Sequence, residues 1–113
     1  MYIKNATQNT QVAYRAREAR SFWAKLKGLI GQRCFEAGEA LSLRRCRAIH
    51  MFGMKFPIDA IFLDKDMQVL RLVRNLMPGS ISPFVYRAYT TIELPIGTID
   101  QTKSKEGDQL IIV

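Results

Sequence analysis

The chain has 113 residues, 48% of them apolar, and a formal net charge of +7. That length suits one domain with one hydrophobic core, and the apolar content excludes an intrinsically disordered chain. No apolar run approaches the roughly 18 residues of a bilayer-spanning helix, residues 1–10 carry no signal-like apolar stretch, and two cysteines, Cys34 and Cys46, do not make a disulfide framework. The expectation is a cytoplasmic protein with reduced thiols.

Residues 11–19 alternate weakly and are read as one short strand. Ser21 suits the N-cap of a short helix, with Phe22, Leu26 and Leu29 sharing one face at i, i+4, i+7. Lys25 and Lys27 lie off that face, and Gly31 suits the helix stop. From residue 40 the pattern becomes strands: 40–43, 47–52, 58–63, 68–73, 91–94 and 109–113. Residues 64–67 read as the hairpin turn between the third and fourth of these. Pro78 and Gly79 suit the two central positions of a type II turn, where Gly accepts a positive φ. Residues 78–90 form the longest irregular stretch and carry Phe84, Tyr86, Arg87 and Tyr89. They are read as a lid, a core plug or a partner surface, with exposure deciding. Short strands at such spacing imply an antiparallel sandwich or barrel.

The charge is one-sided. Residues 1–50 hold ten Lys/Arg and three Asp/Glu, whereas residues 51–113 hold seven of each. The excess sits at Arg15, Arg17, Arg20, Lys25, Lys27, Arg44, Arg45 and Arg47. Such a face attracts an acidic partner. Nucleic acid is disfavoured because these charges are not interleaved in sequence with stacking aromatics. A solvated face that keeps the protein dispersed is the simpler account.

Several segments together identify a resemblance. Residues 27–31 carry a Gly-Leu-Ile element after the first short helix. Ile49, His50, Phe52, Met54, Pro57, Ile58, Asp59 and Phe62 form a central signature. Pro78, then Ile92, Glu93, Leu94, Pro95 and Gly97, then Gly107 and Asp108, follow in order. This set resembles domain-of-unknown-function family 192 over about residues 21–113. The resemblance implies a mainly β, jelly-roll-like sandwich or barrel with one or two short helices. It leaves residues 1–20 as an N-terminal extension that joins the sheet as a strand of the same single domain. It implies no catalytic residues and no cofactor.

Four side chains are the candidates for a site. His50 is the lone histidine, and so the lone side chain whose ordinary pKa lies near neutrality. Asp59 and Glu93 each interrupt an otherwise apolar strand, where a bare carboxylate is costly. Met54 would add apolar lining. If His50, Asp59 and Glu93 converge among Phe52, Met54, Phe56 and Phe62, they make a small pocket with few polar groups. The alternative for Asp59 is structural: it accepts backbone N–H groups from the turn at residues 53–56. A chelate of Cys46, His50 and Met54 is disfavoured, because four residues of strand span ~13 Å; no metal is expected. Three function classes remain: a non-catalytic domain binding a small polar ligand or peptide near His50, Asp59 and Glu93; an accessory protein using its basic N-terminal half; and an acid–base enzyme using His50 with Asp59. The residues lean toward binding.

Overall fold

A computed structural model describes residues 1–19 and 35–113 of the chain. The helix expected from Ser21, with Phe22, Leu26 and Leu29, lies outside the described residues. So do Arg20, Lys25, Lys27, Cys34 and the element at 27–31.

The architecture is mainly β, in two sheets. Strands β1 (Ile3–Asn5), β2 (Thr10–Ala13) and β8 (Leu110–Ile112) form an antiparallel sheet in the order β2-β1-β8. Strands β3 (Arg15–Ala19), β4 (Glu39–Arg44), β5 (Ile58–Leu63), β6 (Val69–Leu76) and β7 (Thr90–Pro95) form a second sheet in the order β3-β4-β7-β5-β6. One single-turn helix, α1 (Thr98–Gln101), follows β7. Neither sheet closes on itself among the described residues, so the barrel alternative is set aside.

The expected antiparallel arrangement is corrected at one pair: β3 and β4 run parallel, Arg15 beside Glu39 through Ala19 beside Leu43. A parallel neighbour needs a long crossover, and the nineteen residues between these strands supply its length. The N-terminal segment is likewise more than one strand. It forms β1 and β2 as a hairpin and then β3, which joins the other sheet.

The strands at 40–43, 58–63, 68–73, 91–94 and 109–113 appear close to their expected bounds, as β4 to β8. The one expected at 47–52 does not form. Only an isolated bridge, His50 to Ile81, remains there. Its backbone bonds go to a loop: Met51 N–H donates to Ser80 at 2.8 Å, and Ser82 N–H to Ile49 at 2.8 Å. Gly53, at φ 81°, then turns the chain away. The turn at Pro78 and Gly79 forms as expected: Ser80 N–H donates to the Met77 carbonyl at 3.1 Å, and Gly79 has φ 81°.

Strand alternation divides the apolar residues of the larger sheet between two cores. The inner core lies between the sheets and gathers Ile3, Val12, Ile61, Ile92, Leu94, Ile99 and Leu110. The outer core lies on the opposite face, under loops, and gathers Leu41, Leu43, Met51, Ile58, Ala60, Phe62 and Ala88. Met54, Phe35 and Phe56 pack against it from its edge.

Candidate functional site

The position of every candidate follows from register. Ala60 pairs with Glu93, and Asp59 with Leu94. Paired residues point to one side of a sheet, and consecutive residues to opposite sides. Ala60 belongs to the outer core and Leu94 to the inner core. Glu93 therefore projects onto the outer face and Asp59 onto the inner face. The expected convergence of His50, Asp59 and Glu93 is corrected on this ground: a sheet stands between the two carboxylates.

Asp59 is 1% exposed and fully engaged. Its Oδ1 accepts the Asn75 N–H at 3.2 Å, and its Oδ2 accepts the Ile99 N–H at 3.0 Å. The first bond answers an irregular ladder. Ile58 pairs with Leu76 but Ala60 with Val73, so β6 carries one extra residue opposite Asp59. Asn75 sits in that bulge at φ 53°. The second bond satisfies an orphan donor in the first turn of α1, whose N-cap, Gly97, offers no side chain. The carboxylate thus ties β6 and α1 to β5. Its donors are not the residues 53–56 expected from sequence.

His50 is exposed. Its ring packs at 5.0 Å on that of Phe52, and its Nδ1 accepts the Phe52 N–H at 3.3 Å. Asp59 is buried on the inner face and His50 is exposed, and no contact joins them among the described residues, so the fold does not bring them together as an acid–base pair.

Glu93 differs from both. It is 8% exposed, and no hydrogen bond reaches its carboxylate from any described residue. Burial pushes its pKa up to about 7, against a partial lowering by the Arg17 charge. Register explains the neighbour. Arg17, Leu41, Glu93, Ala60 and Val73 form one row across β3, β4, β7, β5 and β6. With strands ~4.8 Å apart, the backbones of Arg17 and Glu93 stand ~10 Å apart, with Leu41 between them. Two residues along β7 from Glu93, Pro95 borders a groove of about 360 Å³. Phe35, Gly38, Phe56 and Pro57 are among its other walls, and the Phe35 and Phe56 rings stand 6.2 Å apart. Sequence singled out Glu93 and Met54; Arg17 appeared there only as part of the charge excess, Pro95 only within the family motif, and Phe35 carried no signal.

Asp108 is a third buried carboxylate. Burial acts to raise its pKa, but hydrogen bonds from Asn5, the Lys105 backbone and Gln8, with the Lys105 charge, hold it below the usual range. Asn5 Nδ2 reaches Oδ2 at 3.0 Å, and Lys105 N–H reaches it at 2.8 Å. This network fastens β1 to the loop before β8.

The family model described as "Uncharacterized ACR", domain-of-unknown-function family 192, matches residues 3–112. The chain belongs to that family. The match takes in β1 to β3, so it begins well before the motifs legible in sequence. No curated protein matches the chain. Two solved structures share the fold. A protein of unknown function from Novosphingobium aromaticivorans superposes with a TM-score of 0.87 at 20% identity, over 99% of this chain and 84% of that one. A protein from Sinorhizobium meliloti, provisionally named a transcription regulator, superposes with a TM-score of 0.81 at 19% identity, over 97% of this chain and 89% of that one. At such identities the likeness is one of fold. No helix among the described residues is long and apolar enough to cross a membrane.

Proposed function

We propose that this family-192 chain is a non-catalytic binding domain for a small zwitterionic ligand, an amino acid or a short peptide end, held on the outer face of the five-stranded sheet. The observation that supports this reading is the Glu93 side chain, 8% exposed on the outer face, with its pKa raised by burial and no hydrogen bond from any described residue. Partial loss of hydration disfavours its charged form, a cost that shows as a raised pKa. A ligand ammonium or amide N–H removes that cost. Arg17, one strand beyond Leu41, supplies the complementary cation for a carboxylate. Leu41, Ala60 and the adjoining groove provide apolar walls, the usual lining of a small-ligand site. Met54 packs on the same core and belongs to this reading. Asp59 drops out of it because it projects onto the inner face, and His50 because it rests on Phe52.

The test is an amide NMR titration with free amino acids and dipeptides. Saturable shifts at Arg17, Leu41, Ala60 and Thr91, lost in Glu93→Gln, are expected. Titrations that leave these amides unmoved would overturn the reading.

A further inference from the structure

A second site stands at the opposite end of β7. The turn after β4 brings Arg45 and Arg47, the β5–β6 hairpin brings Lys65, and the segment before β7 brings Tyr86, Arg87 and Tyr89. Two adjoining depressions open between these segments, of about 390 and 370 Å³, sharing Arg47, Lys65, Ala88 and Tyr89. The walls are fixed by backbone. Cys46 N–H donates to Tyr89 at 3.2 Å, Tyr89 N–H to Leu63 at 2.7 Å, and Val85 N–H to Arg47 at 2.8 Å. Arg45 is held at φ 54°, a backbone conformation that side-chain-bearing residues rarely adopt.

The charge here is unspent. Arg15 pairs with Glu36, Arg44 with Glu18 and Arg74 with Asp100, but none of Arg45, Arg47, Lys65 and Arg87 makes an ion pair among the described residues. Two carboxylates share the rim, Asp64 and Asp66. Asp64 Oδ1 is occupied by the Asp66 and Gln68 N–H groups at 2.8 and 3.0 Å. Four cations against two carboxylates leave a positive cleft. An aromatic surface lies within it: Tyr86 is 75% exposed, and the Arg47 guanidinium sits 5.4 Å from its ring centre. The expectation that basic residues and stacking aromatics stay apart is thereby corrected. They are distant in sequence, and the loop before β7 joins them.

We propose that this cleft binds a nucleotide phosphate, with Arg45, Arg47, Lys65 and Arg87 taking the phosphate oxygens and Tyr86 the base. Arginine forks fit phosphate oxygens two at a time, and a tyrosine face stacks on any base. A free nucleotide and a single strand offer the same chemistry, and the test separates them. The site is independent of Glu93.

The experiment measures binding of the full chain to AMP, to a labelled single-stranded RNA of ~10 nucleotides and to pyrophosphate. Each is titrated against wild type, Arg47→Ala/Arg87→Ala, Tyr86→Ala and, as a charge control on β6, Arg71→Ala. Thermal melts verify that each variant folds. Saturable binding of AMP or RNA is expected, weakened about tenfold or more by the double variant and untouched by Arg71→Ala. Tyr86→Ala weakens AMP and RNA but leaves pyrophosphate unchanged. RNA bound far more tightly than AMP identifies a strand, and equal affinity identifies a free nucleotide. Three results overturn the proposal: no saturable binding of AMP or RNA, equal losses in Arg71→Ala and the double variant, or pyrophosphate binding with no effect of Tyr86→Ala on any probe.

Discussion

The two faces of the five-stranded sheet treat the same chemical problem differently. Asp59 and Glu93 both sit in apolar strands, and they occupy adjacent rungs of the β5–β7 ladder. On the inner face, the β6 bulge and the first turn of α1 each present a spare N–H, and Asp59 accepts both. On the outer face, strands β4, β7 and β5 are regularly paired, and their N–H groups are spent within the ladder. Burial raises the Glu93 pKa, the Arg17 charge lowers it in part, and no described residue donates a hydrogen bond to it. A buried carboxylate is therefore a structural tie where the backbone is irregular, whereas on the regular face no described backbone N–H reaches Glu93 and burial raises its pKa.

The largest expected effect comes from breaking the inner face. Asp59→Ala orphans the buried Ile99 N–H and removes the acceptor of the Asn75 N–H, on an exposed residue. The buried bond to a charged acceptor is worth about 1.5–3 kcal/mol and the part-buried one less, so it should cost about 3 kcal/mol. A thermal melt should fall by more than 10 °C, given about 4 °C per kcal/mol at this size. A fall of only a degree or two would remove the contrast between the faces.

Glu93→Gln should act in the opposite direction. The folded-state pKa is raised, so the folded protein binds a proton more tightly than the unfolded chain. The stability tied to this proton is full below about pH 4.5 and is lost as pH rises to about 7. Glutamine has no charge to bury, so the variant should gain up to about 3 kcal/mol over wild type at pH 8 and little at pH 4. Urea unfolding at both pH values reads this directly, and a loss at pH 8 would contradict it.

Asp108→Asn sharpens the comparison with a smaller effect. Its folded-state pKa is lowered, so its contribution is present above the ordinary carboxylate pKa and disappears as pH falls through the folded value. The variant should be less stable by about 1–2 kcal/mol at pH 7 and converge on wild type in acid. A gap that persists at pH 2 would mean that packing, not charge, is what the substitution removes.

Much of this sheet was legible in sequence because its signals are local. The apolar run from Ile58 to Leu63, with Asp59 as its exception, marks β5, and the Pro78–Gly79 pair marks the turn after β6. Family motifs were legible for the same reason. What escaped depends on pairing. The parallel register of β3 on β4 leaves no local trace. Nor does the bulge at Asn75 that occupies Asp59, although a polar Asn at the end of an apolar strand is a weak hint. The placement of Asp59 and Glu93 on opposite faces follows from which residues of β5 and β7 are partners, and no single strand carries that information. The basic cleft was half visible: Arg45 and Arg47 stood out, but Lys65, Tyr86 and Arg87 join them only through the fold.

The central claim is that burial on the outer face, with no hydrogen bond from any described residue, raises the Glu93 pKa. A titration of its side-chain carboxyl carbon by NMR, on the ligand-free chain, tests it most directly. The account predicts a midpoint at about pH 7. A midpoint in the ordinary glutamate range, ~4.3, would contradict it.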